Sequence, residues 1–337
     1  MSKDTFNEAN YEQAIIELFT QQLGYEYIYG PDIVRDYTEP LFLDRLQQSL
    51  LAINPALPAV AIQEAIDKIR QIDTGSLVQR NEVFTDYLQN GVDVSYFDGE
   101  EQHSACVRLI DYDHPLHNNF VVANQWSIEE HSVRRADIIV FINGLPLVVM
   151  ELKSPSRTET NVSEAYAQLR NYMQEIPSLF VYNAFCVMSD LVTSKAGTIT
   201  SGEDRFMEWK TVDGQTEDNH FANFHVLFCG MFEQERLIEI LRDFICFSKE
   251  EKQSAKILAG YHQFYAVRKA ITSVKEATTT NGKGGVFWHT QGSGKSLSMV
   301  FFAKCLQRTL SSPTIVVITD RTDLDNQLFG QFSKCAD

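Results

Sequence analysis

Apolar residues recur at helical spacing in the first part of the chain. Between residues 10 and 23 they fall on one face of a predicted helix, and Gly24 is expected to end that helix. Two further helices are predicted over residues 41–53 and 59–72. The chain is therefore expected to open with amphipathic helices.

Residues 92–153 carry shorter apolar runs bounded by turn residues, a pattern typical of β-strands. Strands are predicted over residues 92–96, 104–110, 120–126 and, as a hairpin, 135–153. The pattern then predicts a helix at 162–174, strands at 179–188 and 224–228, and a helix at 232–247. This order indicates an α+β domain in which a helix packs behind a mixed sheet.

A charged segment, 248–256, follows, and we predict that it is solvated and contains a domain boundary. The first domain would then span residues 1–250 and the second residues 251–337. In the second, a helix over 258–278 precedes a glycine-rich turn, an apolar strand, another helix and a strand at 314–319. This arrangement predicts one β-α-β unit of an α/β domain.

Composition narrows the class of protein. The chain has 337 residues, 44% of them hydrophobic and 22% charged, which is enough for two cores. No apolar run approaches the roughly 18–20 residues of a membrane helix, and the N-terminus lacks an apolar signal core, so a cytoplasmic protein is expected. The 6 cysteines are scattered, which favours reduced thiols over a disulfide framework or a zinc site.

The net charge of −16 argues against a free-standing, non-specific DNA-binding protein, because phosphate contacts require clustered Lys and Arg. A DNA enzyme whose affinity comes from a partner subunit remains compatible with this charge.

The segment 286–296 runs from an apolar strand through a glycine turn to a Lys-Ser pair that opens a helix. Glycines let backbone N–H groups close on an anion, and the helix N-terminus adds its dipole. Lys295 would reach the outer phosphates and Ser296 would hold Mg²⁺ through its hydroxyl. The full P-loop pattern has glycine where this chain has His289, so the strict part of the motif is Gly292, Ser293, Gly294, Lys295 and Ser296.

The alternative is a glycine loop that only happens to precede a helix. The apolar strand before the loop and the apolar helix after it favour a nucleotide site instead.

A second group of charged residues lies in the predicted hairpin, where two apolar strands flank Asn143-Gly144. Asp137, Glu151 and Lys153 interrupt these otherwise apolar strands. Burying an unpaired charge is costly, so the three should be paired with one another or bind a metal ion. Glu151 and Lys153 are two positions apart and therefore share a sheet face.

Asp137 faces Glu151 only if the hairpin is irregular. A two-residue turn with regular pairing places Asp137 opposite Met150 instead. An odd-length loop or one β-bulge moves Asp137 opposite Glu151, and Pro146 makes a wider loop plausible because proline cannot donate to the ladder. We predict such an irregularity.

If the three side chains converge, the two carboxylates make an oxygen site suited to Mg²⁺. The lysine would stabilise charge that develops on a phosphate or position the attacking water. The residues alone leave open a structural Asp-Lys-Glu pairing without catalytic function.

The spacing Asp137-x(n)-Glu151-x-Lys153 resembles the motif of the PD-(D/E)xK nuclease superfamily. The helix beyond it carries Gln168 and Tyr172, similar to the Gln-x-x-x-Tyr motif of the RecB-like branch. At i and i+4 these two side chains face the same way, which suits contact with DNA phosphate or ordering of the metal site.

Glu12, in the first helix, resembles the acidic residue that such nucleases contribute from an N-terminal helix. Glu8 and Glu17 are nearby alternatives for that position.

Taken together with the P-loop, these motifs resemble, in their order, the N-terminal part of the restriction (R) subunit of type I restriction-modification enzymes. Residues 289–296 are similar to motif I of superfamily 2 ATP-driven DNA translocases. Gln263 lies upstream, where an adenine-reading glutamine is expected. Residues 319–327 resemble motif Ia, which implies DNA-backbone contacts from Thr319 and Arg321.

The resemblance implies a restriction-endonuclease-like domain followed by the beginning of a RecA-like α/β domain. It implies Mg²⁺-dependent cleavage of double-stranded DNA, ATP-driven translocation, and partner methyltransferase and specificity subunits in a bacterial or archaeal cytoplasm. No Walker B segment or second motor lobe follows motif Ia, so we expect a part of a longer protein that binds ATP weakly and does not hydrolyse it.

Two other functions stay open at this point. One is a repair helicase-nuclease that digests DNA from its ends. The other is an ATP-gated scaffold whose nuclease site has decayed.

Residues 113–117 include His114 and His117, which could form a metal-ligating pair. Their proline and asparagine neighbours favour a solvated turn over a ligand pair.

Overall fold

The computed structural model of this chain describes residues 8–153, 162–218, 224–249, 254–310, 313–319 and 322–335. Its helices are α1 (Glu8–Glu17), α2 (Leu43–Ile53), α3 (Ala59–Arg70), α4 (Leu77–Asn90), α5 (Val162–Glu175), α6 (Pro177–Val181), α7 (Phe224–Phe232), α8 (Gln234–Asp243), α9 (Tyr261–Thr278), α10 (Lys295–Thr309) and α11 (Thr322–Cys335).

Its strands are β1 (Glu26–Tyr29), β2 (Val92–Asp98), β3 (Glu101–Val107), β4 (Phe120–Glu129), β5 (Val133–Ile142), β6 (Leu145–Leu152), β7 (Phe185–Ser189), β8 (Ser194–Gly197), β9 (Met207–Glu208), β10 (Ile245–Lys249) and β11 (Ser254–Leu258). A 7-stranded mixed sheet has the order β1-β4-β5-β6-β7-β8-β9. The β1–β4 and β6–β7 pairs are parallel, and the others are antiparallel. The predicted mixed sheet is confirmed.

The centre of this sheet is buried on both faces. On one face α5 packs through Leu169 and Met173 against Ile139 and Val149. On the other face α1, α7 and α8 pack over the alternate strand positions. Every residue of β6 is buried, which explains why its sequence is a continuous apolar run rather than an alternation.

Several predicted elements need correction. The predicted strand at 224–228 is the start of α7, and the predicted helix at 232–247 stops at Asp243. The predicted strand at 179–188 divides into α6 and β7, and helix α4 was not predicted. Short apolar runs fit a buried helix or a buried strand equally well, so packing rather than periodicity decides between them.

Two of the described residues in segment 248–256, Ser248 and Lys256, are buried rather than solvated as the charges predict. Residues 245–249 pair with 254–258 as a hairpin, and Lys256 is only 3% exposed. The predicted boundary at 250 and 251 lies outside the described residues.

The predicted strands on either side of α10 do not join a sheet within the described parts of the chain. Residues 286–290 and 314–319, all of them described, form no strand, and Val286 and Ile318 are largely exposed. A strand requires a neighbour that pairs with its N–H and C=O groups. The β-α-β prediction is therefore wrong for these segments as the structure describes them, and α10 is the part that forms.

Among the described residues, no helix combines the length and the apolarity that crossing a bilayer requires.

Candidate nuclease and nucleotide sites

The predicted irregularity of the β5–β6 hairpin is a β-bulge. Phe141 pairs with Pro146, whereas Val140 pairs with Val148, which leaves Leu147 as the extra residue. The turn itself has two residues, Asn143 and Gly144, both with positive φ as a tight hairpin turn requires. The prediction of an irregular hairpin is confirmed. The suggestion that Pro146 widens the loop is wrong, because the turn has two residues.

The bulge sets the register of the charged residues. Beyond it Ile138 pairs with Met150, so the next position along each strand brings Asp137 beside Glu151. Without the extra residue, Asp137 would lie opposite Met150, and the two carboxylates would occupy different sheet faces.

Lys153 contacts Glu151, and Asp137 contacts the strand backbone beside them. The Nζ of Lys153 donates to Glu151 Oε1 at 2.5 Å, and the N–H of Leu152 donates to Asp137 Oδ2 at 2.8 Å. The other carboxylate oxygen of Glu151, Oε2, is buried and has no hydrogen-bond partner among the described residues. An unpartnered carboxylate oxygen inside a protein is costly, and a divalent cation would satisfy it.

Burial shapes the charge state of the site. Burial first, and the neighbouring Glu151 carboxylate second, raise the pKa of Asp137 to about 8. Burial also raises the pKa of Glu151, against the opposing effect of Lys153. Burial lowers the pKa of Lys153, but Glu151 and Asp137 raise it by more, so the ammonium is retained. Two carboxylates that resist joint ionisation form a site that a Mg²⁺ ion fits.

Helix α5 places Gln168 and Tyr172 over this face of the sheet. The Tyr172 hydroxyl donates to the carbonyl oxygen of Arg135 at 3.0 Å and lies beside Glu151. Gln168 lies near the Tyr172 hydroxyl and lowers its pKa, against the larger effect of burial. The structure thus brings both residues of the predicted motif next to the three charged side chains.

The acidic residues of α1 take separate positions. Glu12 accepts hydrogen bonds from Asn124 Nδ2 at 2.5 Å and from Gln125 Nε2 at 2.9 Å, both on β4. Glu8 lies close enough to act electrostatically on Asp137, Glu151 and Lys153 alike. Glu17 is exposed and accepts from Gln13.

Sequence reasoning missed a buried polar chain beside the site. The Tyr11 hydroxyl lies 2.5 Å from Ser189 Oγ, which lies 2.6 Å from Ser194 Oγ. Ser189 also accepts through its carbonyl oxygen from the N–H of Lys153 at 2.9 Å. The sequence signal for this chain of hydroxyls was Ser189 at the end of an apolar strand, because a buried hydroxyl needs a hydrogen-bond partner.

The P-loop differs from the nuclease site in being an exposed turn. Gly292 and Gly294 both have positive φ, and α10 begins at Lys295. The Nζ of Lys295 donates to the carbonyl oxygens of His289 at 3.0 Å and Thr290 at 2.8 Å. The glycines therefore adopt the backbone that the motif predicts.

Gln263 contacts this loop directly. Its Nε2 donates to Gly294 O at 3.1 Å, while its Oε1 accepts from the N–H of Gly260 at 2.9 Å. His262 lies beside it, with Nε2 3.1 Å from Ser293 O. The first turn of α9 is thus attached to the glycine turn that precedes α10.

In the segment resembling motif Ia, Thr319 Oγ1 lies 3.4 Å from Asp325 Oδ1. Arg321 lies outside the described residues.

Comparison with known proteins shows which family the chain belongs to. A model for the N terminus of the type I restriction enzyme R protein matches residues 5–205. The chain belongs to this R-protein family. A SWI2/SNF2 ATPase model matches residues 262–337. The nuclease motif and the P-loop thus fall in separately matched regions of an R-protein chain.

Two curated relatives match nearly the whole chain. The type I restriction enzyme HindI endonuclease subunit of Haemophilus influenzae is 39% identical, over 98% of this chain and 33% of that protein. The putative type I restriction enzyme MjaIXP endonuclease subunit of Methanocaldococcus jannaschii is 33% identical, over 93% of this chain and 33% of that protein. The chain therefore spans about a third of the length of these relatives.

Proposed function

We propose that this chain contains the DNA-cleaving centre and the start of the motor of a type I restriction endonuclease. In the full-length complex, double-stranded DNA would be cut away from the recognition site after ATP-driven translocation. Methyltransferase and specificity subunits would supply recognition of the DNA sequence. The observation that carries the proposal is the Asp137–Glu151–Lys153 group, in which Glu151 is buried and its Oε2 has no hydrogen-bond partner among the described residues.

Asp137 and Glu151 would hold Mg²⁺, which when bound supplies Lewis-acid polarisation of a phosphoryl oxygen and acidifies a bound water. Lys153, held by Glu151 at 2.5 Å, keeps a positive charge where negative charge develops on the scissile phosphate. Tyr172 and Gln168 orient the Glu151 side of the site from α5.

Lys295 and Ser296 would bind the phosphates and the Mg²⁺ of ATP at the start of α10. Gln263 bridges Gly260 and Gly294, and this contact with the glycine turn supports a role for it in binding the base. Thr319 and Arg321 would contact the DNA backbone, as their motif implies.

The test uses the full-length subunit reconstituted with its partner subunits and a circular plasmid that carries the recognition site. Lys153→Ala should reduce cleavage by at least about 100-fold while ATP hydrolysis in the same reaction is retained. Lys210→Ala removes an exposed lysine outside the site and should leave both activities unchanged.

Retained cleavage by the Lys153→Ala complex would show that the hairpin charges are structural. A linear plasmid without a recognition site provides the second arm. Digestion of that DNA from its ends would identify a repair-type helicase-nuclease instead.

A further inference from the structure

A second group of metal-ligating side chains lies in the loop between β3 and β4. Asp111, His114 and His117 each present one ligand atom, and these atoms lie within 4.8 Å of one another. We propose that they bind a divalent transition-metal ion of the Zn²⁺ class, at a site separate from the carboxylates of the nuclease centre.

The distances match a tetrahedral site. Asp111 Oδ2 lies 3.5 Å from His114 Nδ1 and 3.3 Å from His117 Nδ1. Ligands at about 2.0–2.1 Å from a tetrahedral Zn²⁺ ion are about 3.3 Å from one another. Two of the three ligand separations thus already have the required length, and the third is at most 4.8 Å.

The aspartate is positioned before any metal binds. Its Oδ1 accepts the N–H groups of Asp113 at 3.1 Å and His114 at 2.9 Å, which leaves Oδ2 facing the two imidazoles. This geometry presents Oδ2 to an ion that the two imidazoles could share.

The histidines face the same oxygen as a stacked pair. Their ring centroids are 4.8 Å apart with an interplanar angle of 18°. One ring must rotate out of this stack before both Nδ1 lone pairs can point at one ion, and the exposure of both side chains allows that rotation. Imidazole nitrogen also favours Zn²⁺, Cu²⁺ or Ni²⁺ over Mg²⁺, which separates this site chemically from the Asp137–Glu151 pair.

The loop is connected to the turn of the catalytic hairpin. Asn118 Nδ2 donates to the carbonyl oxygens of Asp111 and Pro115, both at 2.8 Å. Asn118 Oδ1 accepts from Asn143 Nδ2 at 2.7 Å. A metal ion at the site would therefore hold the loop in place beside the β5–β6 turn and stabilise the contacts between them.

The first measurement is a calorimetric titration of the metal-stripped chain with Zn²⁺ in buffer that contains excess Mg²⁺. We expect saturable binding of one ion, with affinity reduced at least about tenfold by His114→Ala and by His117→Ala. His103→Ala, which removes an exposed histidine beside Glu101, should leave the affinity unchanged.

Titration with Co²⁺ supplies a readout of the ligands, because visible absorption bands report a tetrahedral site. The bands should appear in the unaltered chain and in Glu151→Gln, and should be absent in His117→Ala. Circular dichroism would verify that each variant is folded.

Absence of saturable binding in the unaltered chain would overturn the proposal and leave an aspartate hydrogen-bonded to two histidines. Binding that survives both histidine substitutions but is lost in Glu151→Gln would also overturn it, because the ion would then occupy the nuclease centre.

Discussion

The proposed nuclease site and the predicted P-loop would perform related chemistry, but they are built in opposite ways. In the first, charged side chains are inserted between buried strands, and Glu151 is 3% exposed. In the second, Lys295 is exposed and binds backbone carbonyls within a glycine turn. The nuclease site depends on strand register and burial, whereas the P-loop depends on local backbone conformation.

The difference affects the stability of each region. Buried carboxylates with raised pKa values destabilise the folded chain at neutral pH, so the surrounding sheet must offset their cost. A glycine turn at the surface carries no comparable electrostatic cost. Substitutions in the two regions should therefore differ in how they change stability and activity.

The largest effect is expected at the P-loop lysine. Lys295→Ala in the reconstituted full-length complex should lower ATP hydrolysis by at least about 100-fold, because the phosphates lose their cation. The free energy of unfolding should change by less than about 0.5 kcal/mol, because the side chain is exposed. Phosphate release and denaturant unfolding measure the two quantities.

Lys283→Ala, an exposed lysine shortly before the loop, is the matched control. Unchanged ATP hydrolysis in Lys295→Ala would show that this lysine does not act on the phosphates of ATP.

The next effect concerns the buried Lys256, which attaches the β10–β11 hairpin to the nuclease domain. Its Nζ donates to Asn81 Oδ1 at 2.9 Å, Asn183 O at 2.8 Å and Thr85 Oγ1 at 3.2 Å. Lys256→Ala leaves a cavity and three acceptors without this donor, and should cost about 2–4 kcal/mol of unfolding free energy. Lys256→Met fills the space and should cost less.

Burial lowers the pKa of Lys256 from 10.5 to about 7. Between these values the unfolded chain binds more protons than the folded chain, so the unfolding free energy increases with pH. The unfolding free energy of the unaltered chain, relative to that of Lys256→Met, should therefore rise between pH 7 and pH 10, as urea unfolding would measure. A difference independent of pH would show that the lysine stays charged in the folded chain.

Asp137→Asn should separate function from stability at the nuclease site. Folding raises the pKa of Asp137 from 3.8 to about 8. The contribution of this carboxyl group to the unfolding free energy is therefore fully present below pH 3.8 and is lost as the pH rises through about 8. In buffer with EDTA, the Asp137→Asn variant should be more stable than the unaltered chain by about 1–3 kcal/mol at pH 9, and by less at pH 5. Urea unfolding at the two pH values measures both differences.

The exposed Asp98→Asn substitution controls for the change in net charge. Equal stability of the Asp137→Asn and unaltered chains across this pH range would contradict the burial argument.

The smallest effect is expected at Gln263. Gln263→Ala removes the hydrogen bonds to Gly260 and Gly294, each worth about 1 kcal/mol, and should weaken binding of a fluorescent ATP analogue by about 3–10-fold. Gln291→Ala, an exposed glutamine within the loop, serves as the comparison. Equal affinity of both variants for the ATP analogue would show that Gln263 only caps the N-terminus of α9.

Several features could be predicted because they obey local rules. The glycine turn before α10 follows from backbone preference. So does the end of the first helical segment, in which a π-helical turn over Leu18–Gln22 continues α1 to just before Gly24. The irregular hairpin followed from a conflict within the sequence, since regular pairing would have separated Asp137 from Glu151.

Other features depended on contacts between distant parts of the chain. Residues 224–232 form a helix because they fill the space beside α1 and α8, although their apolar pattern also suits a strand. Asp111 joins His114 and His117 through a loop conformation, and its spacing from them was the one local signal available.

The sequence by itself therefore determined the mixed α+β character, the phosphate turn and the identity of the charged hairpin residues, because backbone preference and the cost of buried charge act locally. Tertiary structure decided which apolar runs became helices and which acidic residue of α1 approaches the nuclease site. It also decided that Lys256 is buried. Those outcomes depend on which surfaces are adjacent in space, and side-chain packing sets that adjacency only when the chain is folded.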